Sequence, residues 1–241
     1  MPLSAPITKL RRDARVLARR EALPLHAALD RIATSEGYRA WSHLAAEHPA
    51  GTSPGALLDG LAPGDVILVA ARPRQGKTRL GLDLALAAAD AGTRSFFFTL
   101  DYTAPDVVET LRAMDRDPAR IGAGFTLDTS DEICADWIIA AMADAPRRAL
   151  ATIDYMQLLD QRRDTPPLQE QIGALAGAAH ARGHIFVVLG QIDRHFTTSD
   201  RAMPDLGDIR LPNPLDLELF TGVVFLQDGR RTLVRPRTVT R

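Results

Sequence analysis

The segment ARPRQGKT, residues 71–78, decides how this chain is read. It follows the apolar run VILVAA at 66–71 and opens a stretch of helical periodicity from about residue 77 to 91. A strand, a tight loop and a helix N-terminus in that order form an anion site. Successive backbone N–H groups converge there, and the helix dipole adds partial positive charge. The general phosphate-loop pattern is G-x-x-x-x-G-K-[ST]; here Ala71 replaces the first glycine and the rest matches. The loop Ala71, Arg72, Pro73, Arg74, Gln75 and Gly76, with Lys77, Thr78 and Arg79 following, is therefore the candidate nucleotide site. Gly76 lets the backbone approach phosphate closely, Lys77 supplies a point charge for the β- and γ-phosphates, and the Thr78 hydroxyl is a ligand for Mg²⁺. The implied cofactors are ATP and Mg²⁺.

Outward from the loop, short apolar runs alternate with helical stretches. The strands are SFFFTL at 95–100, ALATID at 149–154, HIFVVLG at 184–190, GVVFLQ at 222–227 and a weak TLVR at 232–235. Helical patterns fall near 104–115, 131–144 and 168–182. Such alternation predicts an α/β fold with a mostly parallel central sheet flanked by helices. The strands are continuously apolar because a parallel sheet is covered on both faces. Phe96, Phe97 and Phe98 are read as core and not as a base-stacking platform.

Three strand ends carry polar residues that belong at the ligand-binding edge of such a sheet. Asp154 closes one strand, as expected of a carboxylate that holds Mg²⁺ directly or through water. Asp101 closes another and is the candidate base that orients water toward the γ-phosphate. Gln191 ends a third and is placed to sense that phosphate by hydrogen bonding; Arg194 follows it. Lys77, Asp101, Asp154 and Gln191 are thus the candidate catalytic residues, with Thr78 and Asp154 as the candidate metal ligands.

Before the α/β region, residues 8–48 read as short helices. Leu10, Ala14 and Leu17 share one face of the first, with Arg11, Arg12, Arg15 and Arg19 elsewhere around it. The domain reading is a helical appendage over 1–50, a Pro/Gly-rich linker over 51–64, and the α/β domain over 65–241. Of 241 residues, 46% are hydrophobic and 24% charged, which suits one sizeable core with an appendage. Net charge is −1, so the whole-chain balance says nothing about nucleic acid. The distribution is uneven: residues 1–50 hold eight Lys/Arg against five Asp/Glu, and 227–241 hold five Arg against Asp228. Cys134 is the only cysteine, so no intrachain disulfide forms. No apolar run reaches membrane-spanning length and the N-terminus has no secretion-signal pattern, so a cytoplasmic location is expected. His180, His184 and His195 form no convincing metal set, because Gly183 ends a helix between the first two.

Taken together, AARPRQGKT, IDYMQLL and LGQIDR resemble the motifs of the DnaB replicative helicase family, in its C-terminal RecA-like motor. The resemblance runs from about residue 60 to 228, and Ala71 in place of glycine is that family's own form. It implies an ATPase acting on DNA in replication, a homo-oligomer that is hexameric in the family, and single-stranded DNA as partner. It assigns phosphate and Mg²⁺ to Lys77 and Thr78, the Walker B acid to Asp154, and coupling of the ATP state to DNA loops to Gln191. The family's catalytic Glu falls at Asp101, one methylene shorter. The family's larger N-terminal domain, which binds primase, is replaced by about 50 residues, a candidate site for a different protein partner. The loop DLGDIRLPNPLDLELF, 205–220, contains Pro212 and Pro214 and is stiffer than a DNA-tracking loop. The 194–220 region offers Arg194, His195, Phe196, Arg201 and Arg210 for DNA, diluted by Asp193, Asp200, Asp205 and Asp208. Arg235 and Arg237 are candidates for a basic finger reaching a neighbouring subunit. A nucleotide-switched module with slow hydrolysis is the alternative reading, and a small-molecule kinase is a weaker one.

Overall fold

In a computed structural model, the described residues are 3–5, 7–21, 23–47, 54–122, 124–159, 165–198, 201–211 and 213–235. They divide into two compact units, Met1–Gly60 and Leu61–Arg241. In the first, helix α1 (Ile7–Glu21) packs against α2 (Leu25–Ser35), which packs on α3 (Trp41–Glu47). Their apolar faces meet at Ile7, Leu10, Ala33, Trp41 and Leu44. The Asp30 carboxylate accepts from the Trp41 N–H at 2.8 Å, satisfying a free donor at the start of α3. Residues 54–59 of the Pro/Gly-rich stretch form a short helix, α4 (Pro54–Asp59).

The second unit is built on one seven-stranded sheet. Its strands are β1 (Val66–Ala71), β2 (Ser95–Thr99), β3 (Phe125–Asp128), β4 (Leu150–Asp154), β5 (Ile185–Gln191), β6 (Gly222–Gln227) and β7 (Arg230–Val234). The spatial order is β3-β2-β4-β5-β1-β6-β7, parallel throughout except for β7. The sheet is flanked by helices α5 (Lys77–Asp90), α6 (Ala104–Ala113), α7 (Ala135–Ala141) and α8 (Leu168–Arg182). This is the mostly parallel α/β architecture expected from the alternating pattern. Phe96, Phe97 and Phe98 are all buried. Strand β3 has no counterpart in the sequence reading: it is short, on the sheet edge, and only Phe125 is fully buried. Cys134 is half-buried at the start of α7.

Parallel strands place all their C-terminal ends along one edge. Ala71, Thr99, Asp154 and Gln191 are the last residues of β1, β2, β4 and β5. Ala71 pairs with Gln191 across β1 and β5, and Thr99 pairs with Asp154 across β2 and β4. The sheet thus gathers residues as far apart in sequence as 71 and 191 onto one rim.

Candidate functional site

The phosphate loop leaves β1 at Ala71 and turns into α5 at Lys77. Arg74 and Gly76 both take positive φ, 66° and 84°, which turns successive backbone groups toward one concavity. At Gly76 that conformation strains any other residue. Arg72 and Pro73 continue the loop beyond β1, while Thr78 and Arg79 follow Lys77 in the first turn of α5. The loop is also braced from outside. The β6–β7 turn, Asp228–Gly229, has two positive φ values, as an Asp-Gly hairpin turn requires. Its Asp228 N–H donates to Gln75 Oε1 at 2.8 Å, and Gln75 Nε2 donates to Asp228 Oδ1 at 3.3 Å. Gln75 therefore positions the loop through its side chain. Replacing Gln75 with alanine is expected to raise the KM for ATP about fivefold with kcat nearly unchanged, the size of one lost net hydrogen bond. Steady-state kinetics check the split.

The centre of the site is an ion pair. Lys77 Nζ lies 3.1 Å from Asp154 Oδ1, with the Asp154 side chain fully buried and that of Lys77 10% exposed. The same ammonium sits 4.6 Å from the centroid of the Tyr155 ring. Burial pushes the Asp154 carboxyl up from the usual carboxylate range; the Lys77 charge pulls against it, Thr78 adds a smaller opposing influence, and the Asp101 charge pushes the same way as burial. Asp154 Oδ2 is nonetheless buried without a hydrogen-bond partner of good geometry. An unpartnered carboxylate oxygen beside a threonine hydroxyl and a nest of backbone donors is a donor set that fits a divalent cation held with phosphates. Asp154 and Thr78 are the residues that would share the cation, and Lys77 and the loop N–H groups those that would hold the phosphates.

Asp101 lies just beyond β2 and is exposed; its own N–H and that of Tyr102 donate to Thr99 Oγ1, both at 3.2 Å. It is close enough for its charge to oppose ionisation of both Asp154 and Tyr155. Gln191 completes the rim. Its side chain lies near enough to the Tyr155 hydroxyl to favour that group's ionised form slightly, and accepts from Arg210 Nη1 at 3.3 Å, while its carbonyl accepts from the Arg210 N–H at 2.8 Å. The structure thus brings Lys77, Asp101, Asp154 and Gln191 to one edge.

Tyr155 and Arg210 were not singled out for this rim by sequence. Tyr155 was visible only as the residue after the acidic strand end. Arg210 reaches Gln191 through an isolated bridge between Ile192 and Ile209, a pairing that leaves no periodic signal.

The segment after β5 is held by its own charges. Arg201 pairs with Asp205 and, at 2.6 Å, with Asp208, and lies 5.5 Å from the Phe196 ring centroid. Phe196 is only 4% exposed, so it packs in the core and offers no open face for a base. Of the residues read as DNA candidates, Phe196 is thus committed to the core and Arg201, though exposed, is paired with two carboxylates, whereas Arg194 is exposed without such a pairing among the described residues. Arg235 lies 3.5 Å from Asp65, which directly precedes β1, so it sits at the sheet edge opposite the phosphate loop. Asp200, Pro212, Pro236 and Arg237 fall outside the described residues.

A P-loop motif at the C-terminal edge of this sheet, with an acidic strand end beside its lysine, defines a RecA-like P-loop fold. Within that class the chain resembles the C-terminal domain of DnaB-like helicases. Residues 55–121, from α4 through the phosphate loop and β2 to just beyond α6, match the family model described as DnaB-like helicase C terminal domain. Among solved structures, one similar chain is from a DnaB-like replicative helicase determined with its interactions with primase in view. It is 15% identical with a TM-score of 0.56, over 72% of this chain and 54% of that one. Another is a structure described as an ATPase domain, 17% identical with a TM-score of 0.57, over 80% of this chain and 91% of that one. At these identities the structural likeness establishes the fold. The chain spans little more than half the length of the first of these relatives. No curated protein sequence matches it.

Proposed function

We propose that this protein binds ATP with Mg²⁺, hydrolyses it to ADP and phosphate, and acts on DNA as a DnaB-helicase-like replication motor. The observation that carries the reading is the buried Lys77–Asp154 pair, which joins the phosphate loop to the acidic end of β4. In this reading Lys77 and the loop from Ala71 to Arg79 hold the phosphates, and Thr78 and Asp154 share the cation, which when bound screens phosphate charge. Asp101 takes the proton of the attacking water. Gln191, beside Tyr155 and tied to Arg210, reports the γ-phosphate to the segment that follows β5. The active form is an oligomer, hexameric by analogy with the family, working on single-stranded DNA in the cytoplasm. No described helix is long and apolar enough to cross a membrane.

The test is the steady-state ATPase rate with and without single-stranded DNA, beside a Lys77→Ala control. DNA stimulation that vanishes in the control supports the motor. Nucleotide binding without DNA-stimulated turnover sinks it and leaves a second reading, a nucleotide-switched module that recruits a partner through residues 1–50. Two observations favour that second reading: the short Asp101 side chain, and the burial of Phe196 with the pairing of Arg201, which subtract from a DNA-binding loop.

Asp101 provides its own discriminator. Asp101→Asn is expected to lower turnover about 10²-fold, the lower range for loss of a general base, without weakening ATP binding. Asp101→Glu is expected to raise turnover, because the added methylene returns the carboxylate by about a bond length, and errors near 1 Å cost on the order of 10²-fold. Single-turnover kinetics separate chemistry from binding. Equal rates for wild type and both variants would remove Asp101 from the mechanism.

A further inference from the structure

Helix α1 has a basic outer surface that the nucleotide site does not use. It carries six Lys/Arg against two acidic residues, Asp13 and Glu21. Its apolar face is already spent, because Ile7, Leu10 and Ala14 are buried and the first two lie in the small core with Trp41 and Leu44. Glu21 is spent too, paired with Arg20 and Arg31. Arg11, Arg15 and Arg19 remain exposed, and among the described residues no carboxylate pairs with any of them. They are spaced i, i+4, i+8, so each step climbs roughly 6 Å along the helix with a small rotation, giving a continuous ridge. Arg11 is steadied at one end, its guanidinium 5.7 Å from the Trp41 ring centroid.

We infer that the Arg11–Arg15–Arg19 ridge is a binding surface for the phosphodiester backbone of nucleic acid, separate from the nucleotide site. The chemistry selects this partner in three ways. The ridge consists of arginines, whose planar forks bind phosphate oxygens bidentately. Its step is comparable with the spacing of successive phosphates along one strand. A membrane surface or a helix-binding groove would need the apolar face of α1, and that face is buried. Binding through the ridge is independent of sequence and of ATP, and it holds the strand close to the chain whatever the state of the motor.

The experiment is a salt titration of the 241-residue chain with a fluorescent oligothymidylate, without nucleotide, read by anisotropy. Each phosphate contact to a single strand contributes a slope of about −0.7 in log K against log salt. The variant Arg11→Ala/Arg15→Ala/Arg19→Ala is expected to show a slope shallower by about 2 than wild type. Its affinity at low salt should fall on the order of 10²-fold. The corresponding triple lysine variant should keep the wild-type slope, and both variants should melt at the wild-type temperature. Parallel slopes for wild type and the alanine variant overturn the proposal. So does a wild-type chain that fails to bind without nucleotide, or polyglutamate that displaces the oligonucleotide at matched charge. The motor is read separately, by DNA stimulation of ATP turnover. Parallel slopes with stimulation intact remove the ridge alone, whereas a ridge-dependent slope without stimulation removes the motor alone.

Discussion

Lys77→Ala is expected to abolish ATP turnover, by about 10³-fold or more, and to leave a stability defect that depends on pH. The activity loss follows from removing the buried point charge at the phosphate loop, where preorganised cations act in a water-poor setting. The stability loss has a different origin. In wild type, the fully buried Asp154 side chain faces the Lys77 ammonium at 3.1 Å. Removing one partner of a buried pair leaves an uncompensated charge, which costs about 3 kcal/mol. The carboxyl escapes part of that cost by keeping its proton. Burial, the largest influence on Asp154, raises its pKa in the folded state, and Lys77 is the largest influence opposing it. A carboxyl whose folded pKa lies above its unfolded value destabilises the fold increasingly as pH climbs from the unfolded pKa to the folded one, by a constant amount above that, and not at all below the unfolded value. The melting deficit of Lys77→Ala relative to wild type should therefore be larger at pH 8 than at pH 5. Adding Asp154→Asn to Lys77→Ala removes the buried charge and should recover the stability at pH 8 while activity stays lost. A deficit that does not vary with pH, or is not relieved in the double variant, would show that Asp154 is not held by Lys77 in solution.

Gly81→Val is expected to lower the melting temperature of the α/β unit by roughly 10 °C. Gly81 lies in the second turn of α5, on the face that rests on the sheet. A Cβ added there would come within 2.8 Å of Thr152 Cγ2 and 3.0 Å of Leu189 Cδ1, with Phe97 Cε2 at 3.4 Å. These atoms belong to the central strands β2, β4 and β5 and have no room to retreat in a close-packed interior. The Gly81 carbonyl also accepts from Thr152 Oγ1 at 3.3 Å, so displacing the helix breaks this contact as well. Overpacking of this kind costs about 3 kcal/mol, at the upper end of the usual range. For a unit of this size each kcal/mol lowers the melting point by about 2–4 °C. Because α5 begins at Lys77, the same displacement would pull the phosphate loop from Asp154, so ATP affinity should fall with stability. Gly177 in α8 is the control: a Cβ there meets nothing within 4 Å. Gly177→Ala should stabilise by about 1 kcal/mol through helix propensity alone. Calorimetry on the two variants should show shifts of opposite sign; a neutral Gly81→Val would mean that α5 does not pack on the sheet at the distance described.

Much of the site was legible because its chemistry is local. A lysine that must stand at the first turn of a helix, after a loop with positive φ and a buried strand, leaves a continuous signature at 66–91. Asp154 and Gln191 were legible because each ends an apolar run, and in a parallel sheet such ends share one edge. The helix α8 and strand β6 were read at their observed bounds, since both have sharp apolar patterns flanked by turn residues. Strand β3 was missed because an edge strand with one fully buried residue carries almost no pattern. Tyr155 was missed, and Arg210 was read only as a DNA candidate, because nothing local distinguishes a tyrosine or arginine beside Gln191 from one that faces water.

The sequence by itself therefore determined the class of fold, the phosphate loop and the residues that end the central strands. Those features depend on backbone conformation and burial periodicity within windows of about 10–20 residues. Tertiary structure alone decided which of them meet. The order β2-β4-β5-β1 puts Asp154 near Lys77 and Gln191 beside Ala71. The hairpin turn at Asp228 braces Gln75 from 153 residues away. The loop after β5 consumes the charge of Arg201, and the apolar face of α1 is buried while Arg11, Arg15 and Arg19 are left outside. Pairings over such separations depend on packing between elements, and no local pattern encodes which side chain a distant element will present.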